Sequence, residues 1–179
     1  MKLLKLPLLI FFSATLSSAQ SIPVVKAKAL DDTEVTLPDP GRKQTLILIV
    51  GFSKKSGEPS RAWGKKISAD YNTDARISYF VVPVLQGAPS LVRPMILHAM
   101  RKSVPTRELP HFVPLYSCES DWKRIVNFSA PDDAYLIVAT PDGRPVWQAH
   151  GPYSDAMYAD LKKAVANLLE KPSTSSPKD

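Results

Sequence analysis

Residues 46–52 are apolar at every position except Gly51, and the run is rich in Ile and Val. A short continuous run of that kind predicts a strand buried on both faces. Residues 53–60 then supply breakers and cap candidates. From Pro59 onward, Ala62, Trp63, Ile67 and Tyr71 recur at helical spacing opposite Lys65, Lys66 and Asp70, which predicts a helix ending near Asn72. Upstream, residues 24–29 and 34–37 flank Asp31-Asp32-Thr33 and predict a hairpin. Residues 77–85 (ISYFVVPVL) form a second apolar run whose pairing Pro83 ends or bends into a bulge. Residues 91–102 predict a helix with Pro94 in its first turn, where a missing N–H costs little. An irregular stretch, 104–117, carries Pro105, Pro110 and Pro114, and a short helix is expected over 121–128. Residues 134–139 and 145–149 around Pro141-Asp142-Gly143 predict a second hairpin. Ser154 then caps a helix with Met157, Leu161, Ala164, Val165, Leu168 and Leu169 on one face. This order predicts an α/β sandwich with a mixed sheet.

The 179 residues, 44% of them hydrophobic, suffice for one domain with a core of its own. Residues 1–19 are set apart: Lys2 and Lys5, a largely apolar stretch over 8–16, then Ser17-Ser18-Ala19. This is the pattern of a secretory signal peptide cleaved before Gln20. The alternative, a retained anchor, needs a longer apolar core of ~20 residues. Residues 20–170 are therefore expected to form the domain, and the polar tail 171–179 to be disordered. Cleavage takes two lysines and no acid, lowering the formal charge from +6 to +4. So mild and scattered an excess argues against nucleic acid as a ligand. A periplasmic or secreted location is expected, with no stable membrane insertion after cleavage. One cysteine, Cys118, excludes an internal disulfide, dithiol cycling within one chain and a cysteine-only zinc site.

The element order and several motifs resemble the thioredoxin-like superfamily, in the branch with a hairpin before the core, over residues 24–169. That resemblance implies a three-layer sandwich with a central mixed sheet and an N-terminal β-hairpin. In the family, a buried strand ends in an aromatic and a Cys-x-x-Cys opens the first helix. With Phe52 as that aromatic, Gly57-Glu58-Pro59-Ser60 fill the Cys-x-x-Cys positions and both cysteines are missing. The cis-proline slot before the third core strand falls on Ala134, with Pro131 three residues too early. A further likeness is to the mitochondrial ATP-synthase assembly factors, which have this fold without redox activity. It rests on Phe52-Ser53 with Trp63, on Arg101-Lys102 with Pro105, and on Tyr135-Leu136 followed by Asp142-Gly143-Arg144, Trp147 and Gly151.

Among candidate chemical groups, Cys118 is either a structural thiol or the nucleophile of a single-cysteine thiol peroxidase or other thiol-dependent enzyme. Lys123 and Arg124 would favour its thiolate, while Glu119 and Asp121 oppose it. His111 with Cys118 is the weak alternative for a copper or zinc site, since Cu(I) favours soft sulfur and imidazole. Lys54, Lys55, Arg61, Lys65 and Lys66 surround the degenerate loop, either as an anion or acidic-partner surface or as a solvated helix face. Trp63 reads as core; Trp122 and Trp147 are core or interface. No Ser/His/Asp order, phosphate loop or close carboxylate pair stands out. The expectation is a redox-inactive binding or assembly module with a protein partner and no cofactor, rather than an enzyme. Its contact surface is expected at the loop 53–61, with Lys54, Lys55 and Arg61, and at the facing segment 131–135.

Overall fold

A computed structural model of the chain describes residues 20–170. The expected signal segment 1–19 and tail 171–179 lie outside the described residues.

The core strand β3 (Thr45–Gly51) is buried at all seven positions, as its unbroken apolar sequence requires. Parallel β4 (Ile77–Pro83) lies on one side of it and antiparallel β5 (Ala134–Ala139) on the other, with β6 (Pro145–His150) beyond β5. A parallel pair needs a crossover, and α1 (Gly57–Tyr71) supplies it between β3 and β4. The N-terminal hairpin, β1 (Val25–Lys28) with β2 (Glu34–Leu37), forms its own two-stranded sheet.

Strand alternation splits the core into two layers. Leu46, Leu48 and Val50 of β3 face the hairpin and the short α3 (Glu119–Ile125), whose Trp122 is fully buried. Ile47 and Ile49 face α1 and α4 (Asp155–Glu170), packing with Trp63, Ile67, Tyr158, Leu161 and Val165. Burying each such Leu, Ile or Val contributes about 1.5–3 kcal/mol, so the sheet is secured from both faces. The α4 residues Met157, Leu161, Ala164, Val165, Leu168 and Leu169 all join this second layer, as their spacing predicts. Helices α1 and α4 are also tied directly. The Tyr158 hydroxyl donates to Asp70 Oδ2 at 2.7 Å. That bond, with Lys66 nearby, holds the Asp70 carboxyl below the usual carboxylate range, and burial raises the Tyr158 phenol.

Helix α2 (Arg93–Ser103) has Pro94 in its first turn and no buried residue; only Leu97 and Met100 pack against the second layer. The proline-punctuated stretch after it is more ordered than its sequence suggests. Residues 106–111 form a 3-10 turn, and Phe112 and Leu115 bridge in parallel to Val81 and Val84. Val113 and Leu115 donate their N–H groups to the carbonyls of Val81 and Pro83 at 2.8 and 2.9 Å. Pro114 falls between these two donors, where strand alternation calls for no N–H toward β4.

Candidate functional site: a cysteine-free strand–helix junction

Phe52 leaves the end of β3, and residues 53–56 turn the chain into α1. Two serines hold the turn. Ser56 Oγ donates to the Ser53 carbonyl at 2.8 Å and accepts from Ser53 N–H at 3.2 Å, while Ser53 Oγ accepts from Ser56 N–H at 3.0 Å. Gly51 is required beneath them, because a Cβ there would stand 2.6 Å from Ser56 Oγ.

The first helical turn has no amide to spare. Gly57 and Glu58 donate to the carbonyls of Lys54 and Lys55, both at 3.3 Å, and Ser60 donates to Ser56 at 3.0 Å. Pro59 has no N–H. Anion binding at a helix N-terminus depends on such amides pointing outward, so here only side-chain charge is left for it. Gly57 and Pro59 are half-buried, Glu58 is exposed and Ser60 is buried. Ser60 Oγ has no hydrogen-bond partner among the described residues. Replacing it by alanine removes an unsatisfied buried hydroxyl, so Ser60→Ala should leave stability unchanged or raise it by up to about 1 kcal/mol. Denaturant unfolding measures this; a loss of more than about 1 kcal/mol would mean the hydroxyl has a polar partner.

The segment before β5 closes over this turn. Ser53 Oγ donates to Asp132 Oδ1 at 2.8 Å, and Lys55 Nζ lies 3.6 Å from Asp132 Oδ2. Ala134 opens β5 in register with Gly51, fully buried, and accepts a hydrogen bond from Gly151 N–H at 2.9 Å. Among the described residues the one cis peptide bond joins Leu37 to Pro38, ahead of β3 and not at Ala134. Loop 53–61 and segment 131–135 are thus brought together, but the surface they offer is narrower than the sequence suggests. Ala134 and Tyr135 are 0% and 1% exposed and Ser56 and Ser60 are also buried. What faces solvent is Lys54, Lys55, Glu58, Arg61, Pro131 and Asp132. Lys54, Arg61 and Lys65 make no ion pair among the described residues, whereas Lys66 pairs with Asp70 at 3.4 Å.

Beneath the turn lies an aromatic cluster that the sequence did not reveal. Phe52 meets Phe128 and Tyr135 edge-on, with centroids at 5.1 and 5.6 Å. The Tyr135 hydroxyl accepts from the Ser129 and Ala130 amides and donates to the Ala130 carbonyl, fixing the approach to β5. His150 stacks on Tyr135, and its Nδ1 lies 2.7 Å from Asp133 Oδ2. Lys123 Nζ sits 4.7 Å from the Phe128 ring centroid. The strand alternation places Tyr135 inward; only the fold brings its hydroxyl to residues 129 and 130.

Cys118 is half-buried at the start of α3, with a left-handed backbone (φ 61°). It packs on the hairpin side of the sheet. Its neighbouring cations are matched by its neighbouring acids: Lys123 pairs with Glu119 at 2.6 Å, and Arg124 with Asp121. His111 stacks on Tyr79, a residue of the opposite layer, and its Nδ1 contacts the Tyr79 carbonyl at 3.0 Å. The structure therefore packs Cys118 and His111 against different layers. Among the described residues no group of three His, Cys, Asp or Glu is placed to hold a metal ion. Trp122 and Trp63 are both fully buried, so neither anchors an interface.

No family model matches this chain, and no curated protein does. Solved structures do resemble it, and they are thioredoxin-like. A protein assigned as thiol:disulfide interchange protein DsbE from Chlorobium tepidum matches with a TM-score of 0.56 at 14% identity, over 84% of this chain and 96% of that one. BsSco, of the Sco family of cytochrome c oxidase assembly proteins, matches at 0.53 and 15% identity, over 82% and 94%. StoA from Bacillus subtilis matches at 0.53 and 13% identity, over 81% and 98%. At these identities the likeness carries the fold: the chain has a thioredoxin-like architecture with an N-terminal hairpin. Among the described residues no helix is long and apolar enough to cross a membrane.

Proposed function

We propose that the chain is a redox-inactive thioredoxin-fold protein acting as a binding or assembly module, in the periplasm or outside the cell. The observation that carries this reading is the junction itself. Positions 57 and 60 hold no sulfur, while Ser53 and Lys55 still clamp Asp132 and hold the two loops together. Such a junction retains a shaped surface after losing its dithiol. BsSco belongs to a family of assembly proteins, so an assembly role on this fold has a parallel. The further likeness to ATP-synthase assembly factors points the same way.

The contact surface in this reading is Lys54, Lys55 and Arg61 beside Pro131 and Asp132, facing an acidic region of a protein partner. Its test combines two measurements on protein starting at Gln20. The protein should not reduce insulin disulfides in the presence of dithiothreitol above the uncatalysed rate. A photo-crosslinking side chain at position 58 should capture a partner from the native compartment. Lys54→Glu with Lys55→Glu should weaken that capture by about tenfold or more, since like charges brought together cost several kcal/mol. Unchanged capture would remove this surface from the reading. Peroxide consumption abolished by Cys118→Ser would replace it with a thiol-dependent enzyme.

A further inference from the structure

A second candidate surface lies on α2 and the turn that leads into it. Leu91 is 92% exposed and Met95 68%, among the most exposed large apolar side chains described. Leu91 sits in the 3-10 turn of residues 90–92 that leads directly into α2. On α2, Met95, His98 and Lys102 follow the spacing i, i+3, i+7, which places them on one outward stripe; Leu91 precedes them in the turn, and all four are exposed. The inward side, Leu97 and Met100, is what packs on the core.

Charge on this part of the chain has one sign. From Ala75 to Arg107 there is no Asp or Glu, against Arg76, Arg93, Arg101, Lys102 and Arg107. Arg76, Arg101 and Arg107 are neutralised by Asp74, Asp32 and Glu108, which lie outside that span. Arg93 and Lys102, both on α2, have no acidic partner among the described residues. Arg93 instead donates to the Ala88 carbonyl at 3.0 Å and lies over the Tyr116 ring. The stripe is therefore apolar at its N-terminal end and cationic at its C-terminal end.

We infer that this α2 stripe docks on an anionic lipid surface, with Leu91 and Met95 entering the acyl boundary and Lys102 meeting the headgroup phosphates. Peripheral helices combine these two features, apolar side chains on one face and Lys or Arg beside them. A bilayer suits a ridge of this form, because acyl chains mould around protruding side chains and need no matching cavity. A cavity of about 400 Å³ lies elsewhere, between Val146 and Trp147 of β6 and α4.

Sedimentation with lipid vesicles tests the inference, using residues 20–179, which include every element of the described fold. One set of vesicles is equal parts phosphatidylglycerol and phosphatidylcholine; the other is phosphatidylcholine alone. The protein should pellet with the first set and not the second, and less so as salt rises. Leu91→Glu with Met95→Glu should lower partitioning at least about tenfold, and Lys102→Glu by roughly fivefold, with circular dichroism unchanged. The exchange Leu91→Met with Met95→Leu should keep binding, since it preserves the apolar stripe. Failure to bind at low salt would overturn the inference. So would equal binding by the Leu91→Glu, Met95→Glu protein, which would mean diffuse charge attraction alone. A dimer in sedimentation velocity that the same double variant converts to monomer would assign the stripe to a second copy, and would also overturn it.

Discussion

Trp63→Ala should destabilise the domain by about 3–5 kcal/mol, the largest loss expected from a single substitution here. The side chain is fully buried between α1 and the sheet. Tyr153 packs edge-on against it at 5.1 Å and Tyr158 lies at 6.3 Å. Its indole N–H donates to the Gly151 carbonyl at 3.1 Å, and Gly151 N–H in turn reaches Ala134. Truncation would therefore open a cavity and also release the corner where β6 leaves the start of β5. Trp63→Phe separates the two effects: it keeps a ring but leaves the carbonyl without its donor, at about 1–3 kcal/mol. Urea unfolding of the three proteins measures both. A Trp63→Ala loss below about 1 kcal/mol would contradict the packing described.

Gly57→Cys with Ser60→Cys should create an intrachain disulfide and, with it, insulin reduction that the natural chain is expected to lack. Helical positions three apart lie within the Cα separation a disulfide needs, about 4.4–6.8 Å. A Cβ at Gly57 would meet nothing closer than Arg61 Nη1 at 3.6 Å, and Ser60 already occupies its buried site with an unpartnered hydroxyl. Oxidised double variant should leave Cys118 as the one thiol open to titration, since the chain has no other cysteine. Activity should stay below that of dedicated oxidoreductases for a local reason. Thiolates at helix N-termini are stabilised by free amides, and those of Gly57 and Glu58 are already bonded to Lys54 and Lys55. Persistence of all three thiols under oxidising conditions would mean that residues 57 and 60 do not occupy the expected geometry.

The sequence carries most of this architecture because most of it is local. The unbroken apolar run of β3, the spacing behind Trp63 and Ile67, and the one-faced α4 each state their environment in a single window. The cysteine-free junction was legible for the same reason, since Gly57 and Ser60 lie at fixed distances from Phe52. What stayed hidden depends on contacts across the chain. Asp132 sits 79 positions from Ser53, and nothing near it announces a clamp. The segment 131–135 is expected from sequence as part of a contact surface, yet the pairing of Ala134 with Gly51 buries its second half. Phe112 and Leu115 are masked by Pro110 and Pro114, which break the alternation a strand would show. The bonded amides of α1 follow from how residues 53–56 turn, which residue identity alone does not dictate.

The position of Phe112 to Leu115 along β4 also limits how this protein could polymerise. These residues occupy the side of β4 turned away from β3, so a foreign strand finds its backbone groups there already bonded. Among the described strands the main sheet ends at β4 and β6; β4 carries two isolated bridges on its outer side, to Phe112 and Leu115, and β6 carries none. A free margin of this kind invites strand addition from other chains. Two copies joined β6 to β6 would cover that margin in both. Continuing the sheet beyond β4 would first have to displace the bonds that Val113 and Leu115 make to it, so strand addition is favoured at β6.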